Sequence, residues 1–227
     1  MKIITEIELR DRYKSDKFES FVLEKGEKLT PAATQFLTER RIRIEDYNQF
    51  RGTAAASKPE HYTHLRGNVL VIKSHPVIKF RGQLDLLEAN FIACINRAVS
   101  DGYQEMADEL NVIFLYLQEI MRAEVLNKPL PFIGFNDWPE AEVRERSHHP
   151  EKYFGVGHST PNPKYGAIYG EVNKLRAMVR QLEIAAVEAF CAEGQDRCER
   201  PDIILALNRL SSLVYIIVCK FIGGHYE

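Results

Sequence analysis

What the sequence has little of narrows the classes of protein to which it can belong. Thirty Lys and Arg residues against 32 Asp and Glu leave a formal net charge of −2, which gives no general reason to expect nucleic-acid binding. No uninterrupted apolar run approaches the roughly 20 residues of a membrane-spanning helix, because the longest ones carry Asn, Arg or Ser. Hydrophobic residues make up 45% of the 227 residues, so we expect a soluble globular protein with a sizeable core.

Cysteine is also scarce, and its spacing matches no common metal site. The four cysteines are Cys94, Cys191, Cys198 and Cys219, and none pair as CxxC. Cys94 and Cys219 fall within apolar helical patterns, whereas Cys191 and Cys198 flank a loop, which leaves another role open for that pair. We expect reduced thiols in a cytoplasmic protein.

Hydrophobic residues that recur at steps of three and four predict four long helices. The predicted helices cover residues 82–99, 103–126, 164–192 and 200–221, with a short fifth helix at 139–146. Their apolar faces fit one another and most connections between them are short, so the predicted fold is all-α, a helical bundle of about five helices.

A small N-terminal segment, residues 1–57, precedes the predicted bundle domain of residues 58–227. Within the segment, Thr30 and Pro31 are typical of a helix start, and residues 40–44 alternate like a short strand. The small, proline-terminated stretch 53–59 predicts a linker.

The last predicted helix carries a polar seam on an otherwise apolar surface. Pro201 suits its first position and Asp202 its positive end, while Asn208, Ser212 and Tyr215 follow one another at helical spacing. Buried amides and hydroxyls are costly unless they are hydrogen-bonded. The seam therefore faces either a partner helix or a ligand, and the pattern alone leaves both open.

The longest irregular stretch, residues 129–163, is rich in proline, glycine and aromatic residues. Its aromatic residues are Phe132, Phe135, Trp138, Tyr153 and Phe154. Such a composition argues against disorder, and a long ordered loop is often functional, although ordinary loop packing is an equal alternative.

Several motifs, taken together in this order, resemble those of the ATP:cob(I)alamin adenosyltransferases. The motifs are Lys73-Ser74-His75-Pro76 with Arg81-Gly82-Gln83-Leu84-Asp85, Met121-Arg122-Ala123-Glu124, Ser147-His148-His149-Pro150, Arg176 to Glu183, and Arg200 to Tyr215, which reads RPDIILALNRLSSLVY. The last is the most specific. The chain is more similar to the ethanolamine-utilisation (EutT) branch than to the propanediol-utilisation (PduO) type, and residues 29–44 resemble the EutT N-terminus.

The resemblance implies a reaction and an assembly. Co(I) of reduced cobalamin attacks the 5′ carbon of ATP, and tripolyphosphate leaves, with Mg²⁺ assisting. The family fold assembles as a homotrimer, with ATP held between subunits and the corrin beside it. A reductase and proteins of a bacterial microcompartment are the further partners it implies, and the cytoplasm, including such a compartment, is the expected location.

The resemblance also implies roles for individual residues. Lys73 corresponds to a lysine that contacts the triphosphate, and Asp85 and Arg176 to an ion pair between subunits that shapes the site. Arg180 and Glu183 match the helix that holds ATP. Asn208 matches an asparagine that faces the nucleotide. As catalytic residues we predict Asp85, Arg176 and Arg180.

The corrin face of the site is assigned from the aromatic loop rather than from a family motif. Tyr153 and Phe154 are our candidates for an apolar wall that removes the lower axial ligand of cobalt. Such a wall would make Co(I) easier to reach by reduction.

Three departures from the family pattern limit which residue roles and sites can be transferred from the family to this chain. Ser212 replaces the Asp of the PduO-type NRLSD motif, so that carboxylate's role is lost. No glycine-rich threonine loop precedes Lys73. The His and CCxxC cluster of some EutT enzymes is also missing, and we therefore predict no metal site, although the two groups of histidines could ligate metal by type. These groups are His61 with His64, and His148, His149 and His158.

Two other function classes stay open at this level. The chain could be a non-catalytic helical scaffold of a metabolic microcompartment, or a regulator that binds ATP without turnover. The corrin spectrum with reduced cobalamin and ATP distinguishes both from the enzyme.

Overall fold

The computed structural model describes residues 2–24, 26–46, 58–67, 69–132, 135, 138–158, 160–191 and 198–226. The chain forms two compact units, Met1–Lys79 and Phe80–Glu227. Most of the linker predicted at residues 53–59 lies outside the described residues.

The N-terminal unit combines two small sheets with two helices. Its elements are β1 (Lys2–Ile4), α1 (Glu6–Ser15), β2 (Ser20–Leu23), β3 (Glu27–Leu29), α2 (Pro31–Glu39), β4 (Arg43–Asp46), β5 (Tyr62–Arg66) and β6 (Val69–Ile72). Strands β1 and β3 pair in parallel, and β4-β2-β6-β5 form a four-stranded sheet. In that sheet β2 and β4 are parallel, whereas β6 is antiparallel to both β2 and β5.

The predicted start of α2 is confirmed, and the strand after it begins later than predicted. The Thr30 hydroxyl accepts a hydrogen bond from the Ala33 N–H at 3.1 Å, and Pro31 occupies the first helical turn. Arg41 then adopts a left-handed φ of 55°, and the Ile42 N–H donates to the Leu37 carbonyl at 2.8 Å. This helix-ending geometry uses residues 40–42, so β4 starts only at Arg43.

The second unit is helical, which confirms the predicted all-α bundle with a small N-terminal segment. Its helices are α3 (Pro76–Ser100, which begins within the N-terminal unit), α4 (Gln104–Val125), α5 (Glu140–His148), α6 (Pro150–Phe154), α7 (Ala167–Phe190) and α8 (Pro201–Ile222), with a 3₁₀ turn at Pro163–Tyr165. α3 starts six residues before the predicted position because Pro76 serves as a first-turn residue. The predicted ends of the other helices are within three residues of the observed ones.

The predicted inner faces of the long helices form the core. Buried members include Leu84, Leu87 and Phe91 on α3; Met106, Leu110 and Ile113 on α4; Val172, Leu175 and Val179 on α7; and Ile203, Leu207 and Val214 on α8. The rings of Phe80 and Phe190 meet edge to face at 5.2 Å and join α3 to α7. Phe221, in the last turn of α8, is only half-buried.

Within the described residues, α8 is long and apolar enough to cross a membrane, judged by length and composition only. Its most apolar stretch has a mean hydropathy of 1.8, and 56% of that stretch is buried inside the protein. A core helix of a globular protein passes the same test, so the finding is a weak indication of a membrane span.

The expectation that all four cysteines are reduced is wrong for one pair. Cys191 and Cys198 form a disulfide, because an antiparallel bridge sets the two residues opposite each other. Cys94 and Cys219 are free and buried, as expected. Burial raises the pKa of the Cys94 thiol to about 12 and that of Cys219 to about 11.

Candidate functional site

The pairing of α7 with α8 creates a cleft of about 270 Å³, which we call the arginine cleft. Its lining consists of Ser147 and His148 at the end of α5, His158, Arg176 and Arg180 on α7, and Ser211, Ser212 and Tyr215 on α8. Helical spacing puts Arg176 and Arg180 on one side of α7, one turn apart. The cleft therefore presents guanidinium, hydroxyl and imidazole groups to a ligand.

The charge of the arginine cleft is positive and largely uncompensated. Arg180 is exposed, and among the described residues it has no hydrogen-bond or ion-pair partner within the chain. The Arg176 guanidinium is half-buried and donates only to the neutral Asn173 side chain, at 3.1 Å. None of the described lining residues is a carboxylate. Such a site suits a phosphate or another anion.

Two of the predicted ATP-binding residues meet one helical turn further along the same helix pair. The Asn208 amide donates to the Glu183 carboxylate at 3.0 Å. Both residues line a second cleft, the amide cleft, of about 330 Å³, and the Cys191–Cys198 disulfide lines it too. The Ser211 hydroxyl donates to the Asn208 carbonyl at 2.9 Å and connects the two clefts. The structure thus brings Arg176, Arg180, Glu183 and Asn208 onto one α7–α8 surface.

The polar seam of α8 faces these clefts, and its Asn208 side chain also bonds Glu183 of the partner helix α7. Asn208 lines the amide cleft, and Ser212 and Tyr215 line the arginine cleft. The structure thus contains both arrangements that the spacing left open, a bond to a partner helix at Asn208 and clefts along the seam.

A chain of hydrogen bonds at one end of the arginine cleft was not predicted from the sequence. The Tyr215 hydroxyl lies 3.0 Å from Nδ1 of His158, and Nε2 of His158 lies 3.2 Å from the His148 carbonyl oxygen. The two rings are parallel within 6°, with centroids 6.1 Å apart. Burial raises the pKa of Tyr215, so its hydroxyl keeps its proton at neutral pH.

Sequence reasoning also left out the other lining residues. Ser147, His148, His158, Ser211, Ser212 and Tyr215 were missing from the predicted ligand sites. The seam signalled Ser212 and Tyr215. The histidines were considered only as possible metal ligands. Nothing in the sequence connects His158 with Tyr215, because they are 57 residues apart.

The predicted corrin-wall residues line neither cleft within the described chain. The Arg146 guanidinium lies 4.7 Å from the Tyr153 ring centroid. Phe154 is buried and meets the His225 ring edge to face at 6.1 Å. At Gly223, a Cβ atom would lie 2.6 Å from the Phe154 carbonyl oxygen. The Phe154 ring is therefore already covered by the chain's own C-terminal turn.

The remaining predicted site residues lie elsewhere. Lys73 is exposed between β6 and α3 in the N-terminal unit, where its backbone N–H donates to the His61 carbonyl at 2.8 Å. Asp85 is exposed on α3 and, among the described residues of one chain, forms no ion pair with Arg176. Because that pair was predicted between subunits, a single chain does not test it.

The first residues of the RPDIILALNRLSSLVY motif are structural. Arg200 is buried and binds the Asp202 carboxylate through Nε and Nη2, both at 3.0 Å. Nη2 also donates to the Lys128 carbonyl at 3.0 Å, and the Leu130 N–H donates to Asp202 at 2.9 Å. Burial alone would raise the pKa of Asp202, but these hydrogen bonds outweigh it and lower the pKa below its usual value.

A second buried ion pair joins two of the other motifs. The Arg81 guanidinium binds the fully buried Glu124 carboxylate at 2.6 Å and 3.2 Å. This pair ties α3 to α4 and explains why both residues occur in motifs without lying in a cleft. The described part of the chain contains no group of three His, Cys, Asp or Glu side chains placed to hold a metal ion.

Comparison with known proteins agrees with the motifs. The family model for cobalamin adenosyltransferases matches residues 54–221, and that for the N-terminal domain of the corrinoid adenosyltransferase EutT matches residues 3–60. A Salmonella typhimurium protein named corrinoid adenosyltransferase EutT is 28% identical over 256 residues, covering 98% of this chain and 93% of that protein. Its namesake from Escherichia coli K12 is 32% identical over 163 residues, covering 72% of this chain and 59% of that protein. No solved structure matches significantly. The chain therefore belongs to the cobalamin adenosyltransferase family.

Proposed function

We propose that this protein is an ATP:cob(I)alamin adenosyltransferase. It transfers the 5′-deoxyadenosyl group of ATP to Co(I) of reduced cobalamin, giving adenosylcobalamin and tripolyphosphate. The observation that carries the proposal is the arginine cleft, where Arg176 and Arg180 lie beside serine hydroxyls and lack a carboxylate partner among the described residues. A polyphosphate would supply the missing negative charge.

Four residues of the clefts then have roles in the displacement. As the bond from the 5′ carbon to the triphosphate oxygen breaks, charge grows on the leaving tripolyphosphate. Arg176 and Arg180 stabilise that charge through charge-assisted hydrogen bonds. The Glu183–Asn208 pair holds the nucleoside part of ATP, which aligns the 5′ carbon with cobalt and lowers the entropic cost of reaction.

Residues outside the clefts complete the proposed site. Lys73 binds the triphosphate, and Asp85 pairs with Arg176 of a neighbouring subunit in a homotrimer. Tyr153 and Phe154 contact the corrin. Because the His225 ring covers Phe154 in the single chain, that contact requires the C-terminal turn to move or the corrin to approach from the Tyr153 side.

Mg²⁺ fits this arrangement as a companion of ATP. Magnesium prefers oxygen ligands and is commonly held by one or two carboxylates together with substrate phosphates. The Glu183 carboxylate and the Asn208 amide oxygen provide such ligands beside the cationic cleft. When bound, the ion would neutralise phosphate charge.

The same proposal implies partner proteins and a cellular location for the enzyme. A reductase supplies the reduced cobalamin, and the resemblance to the EutT branch supports a role in ethanolamine utilisation. We propose a cytoplasmic location with association to a bacterial microcompartment.

The test is the absorption spectrum of reduced cobalamin with ATP, Mg²⁺ and the purified protein. We expect the spectrum of adenosylcobalamin to appear in proportion to enzyme and time. ATP binding without this change would favour a nucleotide-binding regulator. No ATP binding at all would favour a scaffold.

A further inference from the structure

We propose that the Cys191–Cys198 disulfide is a reversible redox switch in the wall of the amide cleft, and that its reduction weakens ATP binding. The two cysteines line this cleft together with Glu183 and Asn208, to which the proposed function gives the nucleoside part of ATP. The inference therefore rests on that function. It adds a regulatory site that the adenosyl transfer itself does not use.

The four cysteines differ in their access to thiol reagents. Cys94 and Cys219 are free and buried, whereas Cys191 and Cys198 are only partly buried and line an open cleft. Reactive cysteines are partly exposed, and buried structural ones are inert. Disulfides of cytoplasmic proteins, the location proposed above, are usually catalytic or redox-sensing. A thiol reductant therefore reaches the disulfide without unfolding the chain.

The backbone holds the two cysteines opposite each other independently of the sulfur–sulfur bond. Cys191 and Cys198 form an antiparallel bridge, and the Glu199 N–H donates to the Phe190 carbonyl at 2.8 Å. The Cys191 N–H also donates to the Val187 carbonyl at 2.9 Å. Reduction therefore leaves the two thiols close together, and the bond forms again when a disulfide oxidant is supplied.

The chemical step is thiol–disulfide exchange with an external dithiol. A thiolate of the dithiol attacks one of the two protein sulfurs, the Cys191–Cys198 bond breaks, and the displaced sulfur takes up a proton. The second thiol of the dithiol then resolves the mixed disulfide and releases the other cysteine as a thiol. The protein gains two electrons and two protons, and the dithiol is oxidised to a disulfide.

Reduction changes the wall of the amide cleft because it removes a covalent constraint. A disulfide holds its two sulfurs about 2.0 Å apart in a fixed geometry, whereas two thiols rotate separately. The rest of the lining consists of Glu183, Asn208, Pro201, Ile204 and Leu205. A nucleoside that binds the reduced cleft must order two more side chains, and a wall that is fixed before binding avoids that cost.

The experiment compares ATP binding by the oxidised and the reduced full-length protein. One sample is treated with oxidised glutathione and the other with dithiothreitol, and isothermal titration measures the affinity for ATP. We expect reduction to lower the affinity about 3- to 10-fold, since ordering one or two side chains has an effect of that size. Binding is measured rather than turnover because a reductant that gives Co(I) would also reduce the disulfide.

Two controls assign the effect to this pair and to this cleft. The double variant Cys191→Ser/Cys198→Ser should bind ATP like the reduced protein under both treatments, whereas Cys94→Ala should keep the difference between them. Tripolyphosphate lacks the nucleoside and leaves the amide cleft empty, so it should bind the oxidised, reduced and double-variant proteins equally. Equal tripolyphosphate binding also shows that the double variant is folded.

Several results would overturn the inference. These are an equal or higher ATP affinity after reduction, no disulfide after treatment with oxidised glutathione, a redox effect that persists in the double variant, or an equal loss of tripolyphosphate affinity. If neither form bound ATP, the proposed function would fail and the inference with it. Redox-dependent ATP binding without a cobalt–carbon bond would refute the proposed transfer alone. Redox-independent binding in a protein that forms this bond would refute the switch alone.

Discussion

Arg200 and Arg180, which belong to the same helix pair, differ in burial and in the number of hydrogen-bond partners. Arg200, at the start of α8, is 8% exposed and its guanidinium is held by the Asp202 carboxylate and two backbone carbonyls. Arg180, on α7, is exposed and has no such partner among the described residues. The first arginine is satisfied by the fold, and the second is available to a ligand.

The contrast divides the RPDIILALNRLSSLVY motif into two parts. Its first three residues fix the entry of α8 against the chain after α4. Four residues of its second half, Asn208, Ser211, Ser212 and Tyr215, line the clefts. Substitutions in the first three residues should therefore lower the free energy of unfolding. Substitutions of the residues that line the clefts should lower substrate affinity or turnover.

The largest effect on stability is expected for Arg200→Ala. Removing the buried Arg200 side chain takes the ion-pair partner from Asp202 and the donor from two backbone carbonyls, which costs about 1–3 kcal/mol for each group left unpaired. Urea denaturation measures the loss. Arg97→Ala is the matched control, because Arg97 pairs with Asp101 on an exposed helix surface and such pairs contribute about 0.2–1 kcal/mol. Equal losses for the two variants would erase the contrast between buried and exposed pairs.

For Arg180→Ala the expected effect is on ATP. Loss of a charge-assisted hydrogen bond of about 1.5–3 kcal/mol lowers ATP affinity and kcat/KM roughly 10- to 100-fold. The free energy of unfolding should change by no more than about 0.5 kcal/mol, as for other surface substitutions. Isothermal titration with ATP and urea denaturation give both values. Arg144→Ala, an exposed arginine of α5 outside both clefts, should leave ATP binding unchanged, and unchanged binding for Arg180→Ala as well would refute the assignment.

Asn208→Asp should weaken ATP binding by a smaller factor. It places a second carboxylate about 3 Å from Glu183, where the amide now donates a hydrogen bond. Like charges at that distance repel each other and the polyphosphate. We expect ATP affinity to fall about 3- to 10-fold, the change that about 0.6–1.4 kcal/mol produces. Asn208→Ala, which removes the hydrogen bond without adding charge, should lose less; the reverse order would rule out electrostatic repulsion as the cause.

The smallest effects concern the cysteines. Cys94 and Cys219 are buried, with thiol pKa values of about 12 and about 11 against an ordinary 9.0. Above pH 9 the unfolded thiols lose protons and the folded ones keep theirs, so stability should fall as pH rises from about 9 towards 11. Urea midpoints at a series of pH values measure this decline, and a midpoint that rose with pH over this range would contradict it.

Thiol titration tests the cysteine states directly. The folded protein should expose no reactive thiol from Cys94 or Cys219, and unfolding without reductant should release only those two. Reductant should then release Cys191 and Cys198. Four thiols after unfolding alone would show that this pair is reduced in solution.

The sequence patterns predicted those structural elements that depend on periodic hydrophobic residues or on signals between near neighbours in the chain. The spacing of Leu84, Leu110, Val179 and Leu207 gave the buried faces of the long helices, and Thr30 with Pro31 gave a helix start, because these signals lie within a few residues of one another. The family motifs indicated Arg180, Glu183 and Asn208. They did not separate Arg200, which the fold holds in an ion pair, from Arg180, which lines the arginine cleft.

What could not be predicted depends on residues that are distant in the chain. The sheet of the N-terminal unit pairs β2 with β6 across about 50 residues, and the His158–Tyr215 hydrogen bond joins a loop to a helix. The Cys191–Cys198 bond depends on the antiparallel bridge that sets these two residues opposite each other. Such contacts are set by tertiary geometry, for which hydrophobic periodicity carries no signal.

Gly223 is a position at which we expect no other residue to be tolerated. A Cβ atom at this position would lie 2.6 Å from the Phe154 carbonyl oxygen. The two backbone segments therefore approach each other too closely for any residue with a side chain. A saturation library at residue 223 should therefore return glycine almost alone among well-folded clones, and an enzyme redesigned for bulkier corrinoids would have to leave this residue untouched.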